Sequence, residues 1–190
     1  MYQKQLHPIQ INNTTFLLDH KYEMVGDLIS EKFHHTAKAL GHTFLNNAAV
    51  TKLKITKILD DGCDDLAMIY YMAMAFYCYR EFKTAGKIIT KMYKDHPTEL
   101  LAQCAYANHL LLNNKIDAIP AIFNNTFDLT KIYTKQEIPL ILFVEFMAIA
   151  CDYYYKKNDI ANFKKYLSYL EEGAPDHEET LQRLDEAERL

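Results

Sequence analysis

The chain changes its hydrophobic period once, near residue 19. Before that point, apolar residues cluster at Ile9–Ile11 and at Phe16, and the pair Asn12-Asn13 lies between the two runs. Asparagine tolerates the positive φ that a two-residue hairpin turn requires. A small hairpin is therefore predicted within the N-terminal segment, residues 1–18. Because an isolated hairpin is only marginally stable, we expect it to dock on the rest of the chain.

From Asp19 onward the apolar residues follow a helical period. Asp19 is predicted to cap a first helix that ends at Gly41, and a second helix is predicted over 47–59. The apolar stripe of the first helix comprises Tyr22, Val25, Leu28, Ile29, Phe33 and Leu40. The inward residues of the second are expected to be Val50, Leu53 and Ile58. Together the two helices form a predicted N-terminal helical pair over 19–62.

Turn signals and helical patterns alternate through the rest of the chain, which predicts about nine helices in all. The later helices are expected at 64–80, 82–94, 98–112, a short stretch after Asp117, 134–157, 159–172 and 176–190. The predicted caps are Asp64 for the third helix, Thr134 with Glu137 for the seventh, and Asp176 with Glu179 for the last. Pro139 is expected to kink the first turn of the seventh helix.

Comparison of the chain with itself reveals a repeat. Each stretch has a small residue in its first helix, an inward residue in its second helix and, in two of three cases, a closing proline. These residues are Ala73, Ala85 and Pro97 in the first stretch; Ala107 and Ile119, 34 residues later; and Cys151, Phe163 and Pro175, 78 residues after the first. A small residue lets two helices cross closely, and large apolar neighbours fill the layer around it.

This spacing resembles the tetratricopeptide-repeat (TPR) family over residues 66–177. The resemblance covers three degenerate units, 66–99, 100–133 and 144–177, with an insertion at 124–135. It implies an all-α fold in which α-hairpins stack as a right-handed superhelix. The last helix, 176–190, resembles the solvating helix that caps such arrays. Its predicted outer face carries Glu178, Gln182, Asp185 and Glu188.

The resemblance also implies a function, that of a non-enzymatic protein-interaction module such as an adaptor or a chaperone-like protein. In TPR proteins the first helix of each unit lines a concave groove that binds a peptide or a partner helix. The corresponding residues here are Tyr70, Met74, Tyr77, Leu101, Cys104, Asn108, Leu111, Glu145, Ala148, Asp152 and Tyr155. This set is mostly apolar and tyrosine-lined, with Asn108 and Asp152 as polar anchors. The sequence leaves open the alternative that these tyrosines are simply core residues.

Family members that hold the C-terminal carboxylate of a chaperone use basic groove residues. Tyr70, Glu145 and Ile149 stand at those positions here, so an apolar helix or an extended peptide is the expected partner. Two other hypotheses remain open. One is a helical regulatory homodimer that associates through helix 134–157 or the N-terminal segment. The other is a metal-dependent enzyme that uses His34, His35 and the acidic segment Asp60–Asp65.

Composition narrows the class of protein. The 190 residues include only 5 Gly and 5 Pro, against roughly 13 and 9 at average usage, which disfavours an all-β fold. The net charge of −4 offers no basic surface for nucleic acid or an anionic membrane. The longest nearly uncharged run, 66–79, is shorter than the ~20 residues that span a bilayer. The four cysteines contain no C-x-x-C pair, and no signal-peptide pattern is present, so a cytoplasmic protein is expected.

Three clusters suggest chemistry, but each has a simpler explanation. Asp60–Asp65 lacks the residue order of a calcium loop and suits helix capping. His35 and His42 lie about 10 Å apart on a predicted helix, too far to share one metal ion. Tyr153–Lys157 suggests base stacking, but three consecutive helical residues point in three directions and the chain is acidic. No catalytic residue, cofactor site or metal site is therefore predicted.

Overall fold

Helices make up 67% of the computed structural model, which describes residues 6–189. Its elements are β1 (Leu6–Ile11), β2 (Thr14–Asp19), α1 (Glu31–Phe44), α2 (Ala48–Asp60), α3 (Leu66–Cys78), α4 (Phe82–Asp95), α5 (Leu100–Leu112), α6 (Ile119–Ile122), α7 (Leu129–Ile132), β3 (Glu137–Pro139), α8 (Leu140–Lys156), α9 (Ile160–Gly173) and α10 (Glu178–Glu188). Short 3-10 turns cover Val25–Leu28 and Ile116–Ala118. The mainly helical class is confirmed, and a small three-stranded sheet is added to it. Within residues 6–189, no helix combines the length and apolarity needed to cross a membrane.

The chain divides into two compact lobes. The sheet lobe contains the chain up to Glu23 together with the chain from Ala107 onward, and the central lobe spans Met24–Tyr106. In the central lobe, α3 packs against α4, and α1 packs against α2. In the sheet lobe, α8 packs against α9, and α10 packs against both. The candidate sites described below lie in the sheet lobe.

The sheet begins with a hairpin at the place where the Asn12-Asn13 turn predicts one. Strands β1 and β2 pair antiparallel, with Ile9 opposite Phe16, and Asn12 has a positive φ of 53°. Alternate residues of both strands are buried, which gives the sheet one apolar face. Strand β3 joins β2 in parallel, with Leu18 opposite Ile138.

Strand β3 shows that the predicted start of the seventh helix at Thr134, with Glu137 in a capping box, is wrong. Residues Glu137–Pro139 are extended, and α8 begins at Leu140. Two physical reasons explain the difference. A residue before proline avoids the helical region, which keeps Ile138 extended. The Ile138 side chain is also fully buried in this extended register.

The predicted first helix also begins and ends elsewhere. Asp19 is the last residue of β2, and its carboxylate accepts a hydrogen bond from the Lys21 amide (3.1 Å) in the turn that follows. The helix α1 starts after Ser30 and continues through Gly41 to Phe44. Glycine lowers helix stability but does not by itself end a helix.

The inward face of α2 differs from the prediction as well, although Asn47 caps the helix at the expected place. Val50 and Leu53 are exposed by 39% and 72%, whereas Thr51 and Ile55 are buried. Thr51 tolerates burial because its hydroxyl lies 3.0 Å from both the Asn47 carbonyl oxygen and the Thr43 hydroxyl.

Two predicted caps move by one residue. Asp65 caps α3 by accepting a hydrogen bond from the Met68 amide (2.8 Å), while Asp64 forms an exposed ion pair with Lys32. His177 caps α10 in place of Asp176, because its Nδ1 accepts a hydrogen bond from the Glu179 amide.

The same turn ends the first helix of all three predicted units. Arg80, Asn114 and Asn158, spaced by the repeat offsets of 34 and 78 residues, have φ values of 60°, 56° and 57°. In each turn the next amide donates to a carbonyl oxygen five residues earlier, at 2.9 Å: Glu81 to Phe76, Lys115 to Leu110 and Asp159 to Tyr154. This is the Schellman geometry of a helix C-terminus.

The marker residues of the predicted repeat share one property, complete burial at the helix-contact positions. Exposure is 0% at all six predicted helix-contact positions, Ala73, Ala107, Cys151, Ala85, Ile119 and Phe163. The second unit departs from a full helical pair, because the turn after α5 leads only into a 3-10 turn and the four-residue helix α6. The 124–135 insertion then contributes the short helix α7.

The sheet packs so closely on α9 that no side chain fits at Gly173. A Cβ added there would lie 2.7 Å from Phe143 Cε1 and 2.9 Å from both Ile9 Cδ1 and Leu18 Cδ1. Glycine is therefore required where α9 meets the sheet, for reasons of space and not of backbone conformation.

We expect Gly173→Ala to lower the free energy of unfolding by about 1–3 kcal/mol, since three buried side chains must shift to admit the methyl group. Gly41→Ala is the matched control, because its Cβ would meet only the Tyr71 hydroxyl at 3.5 Å. This control should be neutral or stabilising by about 0.5–1 kcal/mol. Urea denaturation of both variants measures the difference, and equal effects would contradict the packing argument.

Candidate functional site

The predicted groove residues of the first two units are only partly accessible. On α3, Tyr70 is buried, Tyr77 is half-buried and Met74 is 42% exposed. On α5, Leu101 and Cys104 are buried, whereas Asn108 and Leu111 are half-buried. The accessible part of each predicted row therefore lies toward the C-terminal end of its helix.

The structure brings four of the predicted groove residues together in the sheet lobe. Asn108 donates its side-chain amide to the Glu145 carboxylate at 2.7 Å. Ala148 and Asp152 follow Glu145 on α8 at intervals of three and four residues, which places all three on one side of the helix. We call Glu145, Ala148 and Asp152 the α8 acidic face. Tyr155, the fourth predicted residue of this helix, is 37% exposed and its ring packs on Phe163.

Helix α10 covers the α8 acidic face with an arginine. Arg183 donates from Nη2 to the Asp152 carboxylate (2.9 Å), and its Nε lies 3.4 Å from the Ala148 carbonyl oxygen. Its Nη1 donates to the carboxylate of Glu179 on the same helix (2.5 Å). Only 4% of Arg183 is exposed. The last helix is thus a covering element for residues that the sequence assigns to a groove.

Burial and crowding of like charges perturb the acids around Arg183. Desolvation, together with the neighbouring Glu179 and Asp152, raises the pKa of Glu145 to about 7, although Asn108 and Arg183 oppose this shift. Desolvation also raises the pKa of Asp152 to about 6, with Glu186 and Glu179 adding to the shift and Arg183 opposing it. The guanidinium of Arg183 therefore lies near several carboxylates, and negative charge exceeds positive charge at the α8 acidic face.

The raised pKa of Glu145 predicts a stability that depends on pH. The folded chain holds this proton to a higher pH than the unfolded chain, so the free energy of unfolding falls as pH rises from about 4.5 to 7. Glu145→Gln keeps an acceptor for Asn108 but removes the ionisation. We expect the variant to match the wild type near pH 5 and to be more stable by about 1–3 kcal/mol at pH 8.5.

Urea denaturation at these two pH values measures the effect. Glu171→Gln, at an exposed position on α9, is the matched control and should follow the wild-type pH profile. An unchanged pH dependence in the Glu145 variant would show that this carboxyl does not carry the effect.

A second feature of the sheet lobe is an open cleft of about 410 Å³ beside the turn between α8 and α9. We call it the tyrosine cleft. It is lined by Asn12, Pro120, Asn125, Thr126, Phe127, Asp128, Tyr153, Tyr154, Asn162, Lys165 and Tyr166. These residues come from the hairpin turn, α6, the 124–135 insertion and the two helices α8 and α9. None of them belongs to the predicted groove.

Aromatic rings that contact one another form part of the lining of the tyrosine cleft. Phe127 is buried and contacts Tyr153 and Tyr154, with ring centroids 4.9 Å and 5.5 Å away. Tyr154 stacks on Tyr166 at 5.5 Å with nearly parallel planes. The Tyr166 hydroxyl donates to the Phe127 carbonyl oxygen at 2.7 Å, so the 124–135 insertion is docked on α9.

Polar groups form the rim. Asn12 donates to the Asp128 carboxylate at 3.1 Å, and Asp128 also caps α7 by accepting from the Thr130 amide. Although burial raises the pKa of Asp128, the hydrogen bonds from Thr130 and Asn12 and the charge of Lys131 outweigh it and lower the pKa. Asn125 is exposed and has a positive φ of 58°. The rim thus offers amides beside an ionised carboxylate that is already hydrogen-bonded.

Sequence reasoning missed this cleft because its parts are distant in the chain. The run Tyr153–Tyr155 was the available signal. Tyr153 and Tyr154 line the cleft, whereas Tyr155 lies outside it. Nothing local to that run indicates that Asn12 and the 124–135 insertion complete the site.

The histidines and the acidic segment form no metal site. Within residues 6–189, no three His, Cys, Asp or Glu side chains are grouped so that they could bind a metal ion. His34 places its Nε2 2.6 Å from the Ile29 carbonyl oxygen. In the part of the chain that the structure describes, His34, His35 and Asp60–Asp65 are not gathered into one such group.

No protein-family model, curated protein or solved structure matches this chain.

The docking of the insertion gives a direct prediction. Tyr166→Phe removes the hydroxyl that satisfies the buried Phe127 carbonyl, so we expect a loss of about 1–2 kcal/mol and faster amide exchange across 126–128. Tyr169→Phe is the control, because its hydroxyl makes only an exposed 3.5 Å contact with Asn12. Hydrogen exchange and urea denaturation distinguish the two, and equal behaviour would mean that the Tyr166 hydrogen bond does not hold the insertion.

Proposed function

We propose that this protein is a non-enzymatic interaction module that binds an extended peptide segment of another protein in the tyrosine cleft. The observation that carries the proposal is the cleft itself, which combines aromatic rings with an amide-rich rim at the end of a helical hairpin. Tyrosine supplies a large amphipathic contact area at low entropic cost. Asparagine amides provide both donors and acceptors for a peptide backbone.

The proposal includes a TPR-like architecture for residues 66–177. Support comes from the three identical helix-end turns at Arg80, Asn114 and Asn158 and from the shared burial of the marker residues. Repeats of this kind serve mainly as scaffolds for protein binding. The right-handed superhelix and the adaptor or chaperone-like role remain parts of the proposal.

The charges of the cleft favour a peptide that is uncharged where it contacts the rings. Lys165 and Asp128 are the charged lining residues, and they carry opposite signs. A nucleic acid would need an excess of positive charge, which neither the cleft nor the chain has. In the proposed complex, an aliphatic or proline side chain of the peptide packs on Tyr153, and the peptide backbone bonds to the Asn125 amide. Such a peptide contacts both the aromatic rings and the amide groups of the cleft.

A cytoplasmic location is also part of the proposal. Cys63, Cys78 and Cys151 form no disulfide, and Cys104 and Cys151 are buried. Unpaired thiols suit a reducing compartment.

A peptide-display library panned against the full chain tests the proposal, with affinities of selected peptides measured by fluorescence anisotropy. We expect Tyr153→Ala and Asn125→Gly to weaken binding roughly ten-fold or more, since each removes a direct contact. Glycine accepts the positive φ at position 125, so the backbone there is preserved.

Tyr155→Ala is the matched control, because it makes the same change two residues further along α8 and outside the cleft. It should leave the affinity unchanged. If Tyr155→Ala abolishes binding and Tyr153→Ala does not, the predicted groove is the site and the cleft is not. If the library yields no specific peptide, the cleft is not a peptide site.

A further inference from the structure

The fully buried side chains of helix α10 are polar. Its two buried side chains are Thr180 and Arg183, whereas Leu181 is 54% exposed. The Thr180 hydroxyl donates to the Ala174 carbonyl oxygen at 2.7 Å, and Arg183 reaches the α8 acidic face. The apolar residues Leu184 and Ala187 are only half-buried, so Arg183 is the charged side chain that α10 buries most deeply against α8.

The surface under α10 is built for a guanidinium group. Ala148 lies between the two acids in the sequence of α8, and its carbonyl oxygen is 3.4 Å from the Arg183 Nε. Asp152 is one carboxylate partner, and Glu145 lies on the same side of α8 with Asn108 bonded to it. A planar guanidinium that donates to a carboxylate and a carbonyl oxygen together is the arrangement for which arginine is better suited than lysine.

We propose that the α8 acidic face binds an arginine-bearing helix of a partner protein, and that α10 is an intramolecular occupant which this partner displaces. The chain itself shows the chemistry of the ligand, a short amphipathic helix whose arginine donates to the Asp152 carboxylate and to the Ala148 carbonyl oxygen of the α8 acidic face. The surface is separate from the tyrosine cleft, and the inference does not depend on peptide binding there.

The physical properties of α10 fit an exchangeable occupant. Its 11 residues are fewer than the ~12–15 that an isolated helix needs, so a released α10 loses its helical structure. Tethering gives α10 a high effective concentration at the face, so a partner must bind well to compete. Weakening α10 without damaging the face should therefore uncover a site for a helix added in solution.

The test uses the full chain and a fluorescein-labelled peptide with the sequence of residues 174–190. Arg183→Gln in the protein removes the arginine with which α10 occupies the α8 acidic face. We expect this variant protein to bind the labelled peptide roughly ten-fold or more tightly than the wild-type protein does. A peptide that itself carries Arg183→Gln should bind neither protein. Arg189→Gln is the matched control, because Arg189 lies on the same helix but pairs with Asp185 at the exposed surface; it should behave as the wild type.

Equal peptide affinity for the Arg183 and Arg189 variants would overturn the proposal, and so would equal binding of the two peptides. Far-UV circular dichroism establishes that the variant proteins are folded. If Arg183→Gln does not fold, hydrogen exchange on the wild-type chain decides. Amides of α10 should then exchange at least ten-fold faster than those of α8, and equal protection would show that α10 is a fixed part of the lobe.

Discussion

A single left-handed residue follows each of the helices α3, α5 and α8. At Arg80, Asn114 and Asn158 the backbone turns with positive φ, and the next amide returns to a carbonyl of the last helical turn. The helix therefore ends and the chain reverses within a few residues. The tyrosine cleft lies beside the third of these turns, with Tyr153 and Tyr154 before it and Asn162 and Tyr166 after it. The placement of these side chains depends on the turn.

The sequence pattern is informative for elements that depend on residues close together in the chain. Helical periodicity and asparagine-rich turns placed most helices and the β1–β2 hairpin close to where the structure has them. The failures are non-local. Strand β3 exists because Ile138 pairs with Leu18 and is buried against the far end of the chain, and no three-residue pattern encodes such a pairing. The same pairing replaces the helix start expected at Thr134.

The candidate sites show the same difference between local features, which the sequence indicates, and non-local ones, which it does not. The TPR resemblance assigns Glu145, Ala148 and Asp152 to one side of a helix that lines a groove, and in the structure they share one side of α8. Its covering arginine was not predicted. Apolar periodicity would direct Leu181 and Leu184 inward, but Leu181 is exposed and Arg183 is buried. Asp152 is half-buried and pairs with Arg183 at 2.9 Å, so the arginine side of α10 faces α8.

Glu145 and Asp152 raise the question of why acidic residues occupy this side of α8. Eleven residues of α8 are buried, all of them apolar or small. A leucine at position 145 would cost less than a carboxyl whose pKa is raised to about 7 by its surroundings. Replacing a buried ion pair with apolar residues is often neutral or stabilising, so packing alone does not explain Glu145, Asp152 and Arg183. The proposed recognition of a cation accounts for them, because it requires carboxylates at a defined spacing. Arg183 shows that a guanidinium pairs with Asp152 on this face.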